Sequence, residues 1–149
     1  MDNMYETLSQ IPIAGYIPNS TVDFPNNISI TIFIKGCPFK CAYCHNPDLS
    51  FLANDKSEPI TPILHHIAER KNWVDAVVLS GGEPTLYPQI EHLLYYVKDN
   101  NLLTGLHTNG FYPTVLTYLL KKQLIDFIGM DVKAPLDERY DKITGITNS

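Results

Sequence analysis

The sequence predicts an α/β fold in which about four strand–helix units form a parallel sheet. Apolar runs that suit buried strands alternate with segments whose apolar residues recur at helical spacing. Each predicted strand is also followed directly by a polar or glycine-rich run. In α/β barrels the active site is built at the carboxyl ends of the strands, so we expect these runs to converge on one mouth.

Composition is that of an ordinary globular protein. The chain has 149 residues, 44% of them hydrophobic and 18% charged, which suits a single domain with a buried core. No apolar stretch approaches the roughly 20 residues of a membrane span. A net charge of -5 gives no reason to expect binding to nucleic acid or anionic lipid. Clustered thiols without a signal peptide favour a reducing cytoplasm.

The first part of the chain shows little periodicity before the first predicted strand. Residues 1–14 are predicted to be a short amino-terminal extension, and residues 15–27, rich in proline and asparagine, a turn-rich entry. Residues 28–34 alternate isoleucine with other strand formers and are predicted as the first strand. A loop is expected over residues 48–59.

The rest of the chain alternates regularly between predicted helices and predicted strands. Thr61 is a candidate cap and Pro62 suits a first helical turn, so a helix is predicted over residues 61–71. Ala76–Leu79 is apolar without alternation, as in a parallel strand covered on both faces. The pattern then predicts a helix over 88–100, a strand over 102–106, a helix from about 115 to 122, a strand over 125–130, and a last segment, 136–149, that begins as a helix.

All three cysteines lie in one loop, in the run from Lys35 to Pro47. Their spacing is C-x3-C-x2-C, at Cys37, Cys41 and Cys44. Three neighbouring thiolates suit zinc or an iron–sulfur cluster. A [4Fe–4S] cluster normally takes four cysteines, so with three one iron would remain open to a substrate or cofactor.

Three other interpretations of this loop stay open at this point. His45 could complete a structural Cys3His zinc site, although no second ligand pair follows. The run Cys41 to His45 fits the C-x-x-C-H pattern of covalent haem attachment, which requires export that the amino terminus does not indicate. Three unrelated buried cysteines would also be possible, but the tight spacing disfavours them.

The cysteine spacing, with Tyr43 directly before the last cysteine, resembles the signature of the radical S-adenosylmethionine (radical SAM) enzymes. Two flanking runs, Thr21–Pro25 and Cys44–Pro47, resemble the glycyl-radical-enzyme activases. Within them the similarity is greatest to the group that activates anaerobic ribonucleoside-triphosphate reductase. It extends from about Gly15 to Gly145.

This resemblance implies an enzyme in which Cys37, Cys41 and Cys44 hold a [4Fe–4S] cluster whose fourth iron binds S-adenosylmethionine (SAM). An electron from a flavodoxin- or ferredoxin-type donor would split SAM into methionine and a 5′-deoxyadenosyl radical. The radical would take a hydrogen from a glycine of a partner glycyl radical enzyme, the anaerobic ribonucleotide reductase. The implied SAM contacts are Tyr43, Gly81, Gly82, Glu83, Pro84, Thr108, Asn109, Asp131 and Lys133.

The residues at the strand ends have chemical reasons for these roles. Gly81 and Gly82 permit close backbone approach to a ligand, and Glu83 offers a carboxylate to the SAM ammonium. Asp131 and Lys133 would contact the SAM ribose and carboxylate, or else form a solvated ion pair. Tyr43 would lie near the adenine, or else be a packing aromatic.

The sequence departs from the family pattern in two respects. His107 stands before Thr-Asn-Gly, where related activases often carry aspartate, so a cation site there is in doubt. The family fold has six βα units and this chain about four, which implies a partial (β/α) barrel. We expect a chain truncated on its carboxyl-terminal side or a minimal form.

Three alternative functions remain. Two are enzymatic: radical SAM chemistry on a small molecule, as in a 7-carboxy-7-deazaguanine synthase, and activation of a pyruvate formate-lyase type of enzyme. The third is a non-catalytic iron–sulfur or zinc module. The run Gly81–Pro84 argues against the module, because a simple electron carrier has no need of it.

Overall fold

The computed structural model describes residues 2–50 and 57–146. Its helices are α1 Asp2–Leu8, α2 Pro47–Ser50, α3 Ile60–Arg70, α4 Ile90–Asp99, α5 Pro113–Lys121 and α6 Glu138–Thr144. Its strands are β1 Ile13–Ser20, β2 Ser29–Ile34, β3 Ala76–Gly81, β4 Leu103–Thr108 and β5 Phe127–Met130, and a 3₁₀ turn covers Pro84–Leu86. Residues 48–50 of the predicted loop 48–59 belong to α2 instead, while residues 51–56 of that loop and residues 147–149 of the segment 136–149 lie outside the described residues.

The five strands form one sheet in chain order, from β1 to β5. The strands β2 to β5 are parallel, with Ile30 opposite Val77 and Leu106 opposite Ile128. They match the four predicted strands within two residues at each end. The α/β prediction is therefore confirmed, and the sheet is consistent with a partial barrel. The carboxyl ends of the parallel strands all lie at one edge.

Apolar side chains cover both faces of the sheet. On one face, Ile30, Ile32 and Ile34 of β2 are fully buried in a large core with α1, α3, α4 and α5. On the other, Phe24 packs with Ala76, Val78 and Phe127 in a smaller cluster. This double coverage explains why β3 shows no apolar–polar alternation. Each large aliphatic side chain that is fully buried contributes about 1.5–3 kcal/mol.

The amino-terminal residues are part of the fold, in contrast to the extension predicted for residues 1–14. Helix α1 packs against α4, and Leu8, Ile11 and Ile13 are fully buried in the main core. This helix was not predicted, because only a few apolar residues mark its buried side in the sequence.

Strand β1 was also missed, since a turn-rich entry was expected over residues 15–27. It pairs antiparallel with β2 at the edge of the sheet, with Tyr16 opposite Ile32 and irregular register on either side of that stretch. An edge strand tolerates a proline such as Pro18, because its outward backbone groups need no partner. Chain-breaking residues therefore did not prevent a strand here.

The predicted helices are present with small shifts. Helix α3 begins at Ile60, after Pro59, and has no side-chain cap, so the predicted capping role of Thr61 is wrong. Its buried residues, Ile60, Ile63, Leu64 and Ile67, are those of the predicted apolar face. Helix α6 ends at Thr144 and is followed by Gly145, whose φ of 70° lies in the left-handed region that glycine adopts easily. Among the described residues, no helix is long and apolar enough to cross a membrane.

One carboxylate ties the edge strand β5 to its neighbours. Asp126 Oδ2 lies 2.5 Å from Lys98 Nζ of α4 and accepts hydrogen bonds from the Thr104 amide, at 2.7 Å, and hydroxyl, at 3.0 Å. Burial opposes ionisation of Asp126, but the Lys98 and Thr104 hydrogen bonds outweigh it and lower the pKa of Asp126. The ionised form is therefore the one that stabilises the fold.

The substitution Asp126→Asn should lower the free energy of unfolding at pH 7 by about 0.5–1 kcal/mol, because the pair with Lys98 is partly exposed. The folded pKa lies below the unfolded one, so this contribution is complete above about pH 4 and is lost as the pH falls through the folded pKa. Urea unfolding across this range measures the difference. The exposed Asp99→Asn is the control and should cause no loss; an Asp126→Asn deficit that persists at low pH would contradict the assignment.

Candidate functional site

A cavity of about 420 Å³ lies at the carboxyl ends of the parallel strands. It is bounded by the cysteine loop and by the residues at the ends of β3, β4 and β5. These residues are Cys37, Phe39, Cys41, Tyr43, Cys44, His45, Asn46, Ser80, Gly81, Gly82, His107, Thr108, Asn109, Asp131, Val132 and Lys133. The structure thus brings together the four runs that the sequence analysis expected to converge.

The cysteine loop is held by backbone hydrogen bonds on several sides. The Gly36 amide donates to the Leu49 carbonyl at 2.6 Å, and the Glu83 amide donates to the Gly36 carbonyl at 2.7 Å. The Lys40 amide donates to the Thr144 carbonyl of α6 at 2.7 Å. Gly36 itself has a φ of 91°, a conformation that favours glycine. These hydrogen bonds define the position of the loop.

Gly81 and Gly82 bring the end of β3 against the base of this loop. A Cβ atom on Gly82 would lie 2.1 Å from the Gly36 carbonyl oxygen, and one on Gly81 would lie 2.3 Å from the Ile34 carbonyl oxygen. Both glycines also line the cavity. Close approach to a ligand was predicted from the sequence; the structure adds a close approach between two backbone segments, which a side chain would prevent.

Glu83 is fully buried and does not line the cavity. Its Oε1 accepts hydrogen bonds from the Thr85 amide at 3.0 Å, from the Thr85 hydroxyl, and from the Thr108 hydroxyl at 2.7 Å. Its Oε2 accepts one from the Asn109 amide at 2.7 Å. The carboxylate thus joins the ends of β3 and β4. Its predicted contact with a ligand ammonium stays a prediction, and Pro84 is likewise buried outside the cavity lining.

Burial keeps two of the cysteine thiols protonated. Burial raises the pKa of Cys37 to about 11, a hydrogen bond from the Phe39 amide partly opposes it, and the nearby Glu83 carboxylate adds to the increase. Burial also raises the pKa of Cys41, against the attraction of Lys133. Thiolates are the metal-binding form, so loading of this site must release protons.

The chemistry of the donor set fits an iron–sulfur cluster. Three thiols line one cavity, and thiolate is the ligand that such clusters take. Within residues 2–50 and 57–146, no three histidine, cysteine or acidic side chains are grouped so that they could hold one metal ion. A zinc site with His45 and a cluster would both use the thiolates of Cys37, Cys41 and Cys44, so the metal content of the protein is what separates the two interpretations.

Tyr43 and Lys133 both line the cavity and contact each other. The Tyr43 hydroxyl donates a hydrogen bond to the Lys133 carbonyl, and 51% of the Tyr43 surface is exposed, so it is not a packing aromatic. Lys133 Nζ lies 2.8 Å from Asp131 Oδ2, which is the partly exposed ion pair that the sequence left open. Both residues of this pair also line the cavity, where a ligand could compete for them.

His107 contacts the run Thr21–Pro25 through the backbone of Asp23. Its Nε2 lies 2.9 Å from the Asp23 carbonyl oxygen, and Asp23 Oδ2 accepts a hydrogen bond from the Thr31 hydroxyl at 2.7 Å. Six further residues line the cavity although the sequence gave no reason to assign them a cluster or SAM contact: Phe39, His45, Asn46, Ser80, His107 and Val132. His45 entered only as a possible zinc or haem ligand, and His107 only as a departure from the family pattern. Their sequence signal is that each lies within two residues of a predicted site residue.

Glu83→Gln should destabilise the fold by about 1–3 kcal/mol, because a buried network loses an acceptor. With the amide oxygen placed toward Thr85 and Thr108, the new amide group would face the Asn109 amide, donor against donor. Chemical denaturation measures the loss.

Glu91→Gln is the matched control. Glu91 accepts a single exposed hydrogen bond, from the Tyr118 hydroxyl at 2.9 Å. This variant should stay within about 0.5 kcal/mol of wild type. Equal effects of the two substitutions would show that the buried network contributes nothing particular.

A family model described as "Radical SAM superfamily" matches residues 31–149. One solved structure with a similar fold is the crystal structure of QueE from Escherichia coli, with a TM-score of 0.56 and 23% sequence identity. The match covers 74% of this chain and 58% of that one. At this identity, the likeness concerns the fold alone.

Curated relatives share more sequence. A Methanocaldococcus jannaschii protein named as a glycyl-radical enzyme activating enzyme is 37% identical, over 87% of this chain and 52% of its own length. The pyruvate formate-lyase-activating enzyme of Clostridium pasteurianum is 32% identical, over 83% and 53%. The pyruvate formate-lyase 1-activating enzyme of Escherichia coli is 30% identical, over 86% and 54%. The chain therefore spans about half the length of these relatives.

Proposed function

Because the chain belongs to the radical SAM superfamily, we propose that it takes part in the reductive cleavage of SAM and activates a glycyl radical enzyme. Members of this superfamily in general use SAM and an iron–sulfur cluster. The observation that carries the proposal is that one cavity is lined by three thiols, Gly81, Gly82 and the ends of β4 and β5.

In this proposal Cys37, Cys41 and Cys44 hold a [4Fe–4S] cluster and leave one iron for the methionyl end of SAM. When bound, the cluster and SAM together supply an electron acceptor and a source of a carbon-centred radical. The protein positions these groups and limits the access of water. Clustered thiols are suited to a reducing cytoplasm, where a flavodoxin- or ferredoxin-type protein could supply the electron.

The ends of β3 and β5 would position SAM. Gly81 and Gly82 present backbone to the cavity without side chains. Lys133, whose ammonium lies 2.8 Å from Asp131, supplies positive charge for a carboxylate, while the Asp131 carboxylate can accept hydrogen bonds from ribose hydroxyls. Tyr43, half-exposed at the rim, offers a ring for the adenine.

The proposed substrate is a backbone glycine of a partner protein. The resemblance of Thr21–Pro25 and Cys44–Pro47 supports anaerobic ribonucleotide reductase as that partner, and the relatives named as pyruvate formate-lyase activating enzymes support a second candidate. Anchoring of Thr21–Pro25 through Asp23 and His107 places this run beside the cavity residues. A small-molecule substrate and a non-catalytic module are the alternatives that the experiments must separate.

The first test is of the cluster and of SAM cleavage. After anaerobic reconstitution we expect close to four iron and four sulfide per chain, as a [4Fe–4S] cluster requires, and formation of 5′-deoxyadenosine with dithionite. Cys37→Ser, Cys41→Ser and Cys44→Ser should each lose most of the bound iron and at least about 100-fold in cleavage rate, since second-shell changes alone cost 10- to 100-fold.

His45→Ala is the control in this experiment. It removes the fourth ligand of a Cys3His zinc site but no cluster ligand, so iron content should match wild type. Zinc in the reconstituted protein, lost in His45→Ala and accompanied by no cleavage, would instead identify a structural module.

The second test is of the partner. Incubation of the reconstituted protein and SAM with an anaerobic ribonucleotide reductase, or with a pyruvate formate-lyase, should give a glycyl-radical doublet by electron paramagnetic resonance. Lys133→Met should reduce the doublet in proportion to its loss of SAM binding. SAM cleavage that stays uncoupled from either protein, yet accompanies turnover of a small molecule, would contradict the activase proposal while leaving the radical SAM chemistry intact.

A further inference from the structure

The side-chain amide of Asn109 faces the sulfur of Cys37. The distance from Asn109 Nδ2 to Cys37 Sγ is 3.6 Å. The amide orientation is fixed by its second contact, because Asn109 Oδ1 accepts a hydrogen bond from the Phe111 amide at 3.0 Å. With the oxygen on that donor, the atom directed at the sulfur must be the nitrogen, which can only donate.

Asn109 is held by residues at the ends of β3 and β4 rather than by the cysteine loop. Its backbone amide donates to Glu83 Oε2 at 2.7 Å, and the Thr108 hydroxyl donates to Glu83 Oε1 at 2.7 Å. Thr108 Oγ1 in turn accepts a hydrogen bond from the Gly110 amide at 3.1 Å. The Asn109 side chain that faces Cys37 is thus positioned by hydrogen bonds to the fully buried carboxylate of Glu83.

We propose that Asn109 is a positioning residue that donates its side-chain N–H to the Cys37 sulfur and thereby makes one-electron reduction of the cluster easier. This inference rests on the proposed function, because it needs a cluster at Cys37. Reduction adds one electron from a low-potential donor, breaks no bond in this step and moves no proton. The added negative charge is shared with the ligand sulfurs, so a donor stabilises the reduced form more than the oxidised form.

The experiment measures the midpoint potential of the reconstituted cluster by dithionite titration followed by electron paramagnetic resonance. Asn109→Asp keeps the shape and the acceptor for Phe111 but replaces the donor with an anionic oxygen. Its equilibrium constant for reduction should fall at least about tenfold, which is about 59 mV for one electron. Asn109→Ser removes the amide without adding charge and should shift the potential less, in the same direction.

Asn101→Asp is the charge-matched control. Asn101 is exposed in the turn after α4, with a φ of 59° that asparagine and aspartate both tolerate. Its cluster should keep the wild-type potential. Wild-type potentials in both Asn109 variants would overturn the inference and leave the proposed function standing, whereas a wild-type protein that binds no iron and sulfide would end the proposed function itself.

If neither Asn109 variant binds a cluster, wild-type protein decides the question. With ¹⁵N in the asparagine side chains only, pulsed electron paramagnetic resonance of the reduced cluster should detect a coupled ¹⁵N nucleus. The coupling should remain in Asn46→Ser, which removes another asparagine that lines the cavity. Absence of the coupling in wild type, or its loss in Asn46→Ser, would overturn the inference.

Discussion

The site depends on one buried carboxylate. Glu83 is fully buried, and a charge in that position is tolerated only when hydrogen bonds replace its hydration. Thr85, Thr108 and Asn109 supply those bonds, so the end of β3 and the end of β4 are fixed relative to each other. Strand ends in α/β folds are otherwise free to diverge into loops. The network thus joins two strand ends into one wall of the cavity.

The second constraint is the contact between β3 and the cysteine loop. Because Gly82 has no Cβ, its backbone passes directly against the Gly36 carbonyl, and the Glu83 amide donates to that same carbonyl. Glu83 therefore holds the cysteine loop through its backbone and the β4 end through its side chain. Gly82 and Glu83, which are adjacent in the chain, therefore set the positions of both Cys37 and Asn109. This explains how partners 72 residues apart in sequence come within 3.6 Å.

Periodicity and topology made much of this fold predictable. Ile30, Ile32 and Ile34 carry a strand pattern, Ile63, Leu64 and Ile67 a helix pattern, and parallel pairing requires that the strand ends meet at one edge. The missed elements are those whose stability comes from tertiary packing rather than local pattern. Strand β1 contains Pro18 and relies on pairing with β2, and α1 relies on its contact with α4.

The orientation of the Glu83 side chain could not be predicted from the sequence, for a different physical reason. A carboxylate after two glycines can point into the cavity or back into the fold, and both orientations satisfy the local pattern. The choice depends on donors 25 and 26 residues away, at Thr108 and Asn109. Both Glu83 oxygens accept protein donors, whereas the Asp131 side chain at the end of β5 is largely exposed and pairs with Lys133, two residues away. The pairing that fixes Glu83 is thus long-range, and a local sequence pattern carries no signal for it.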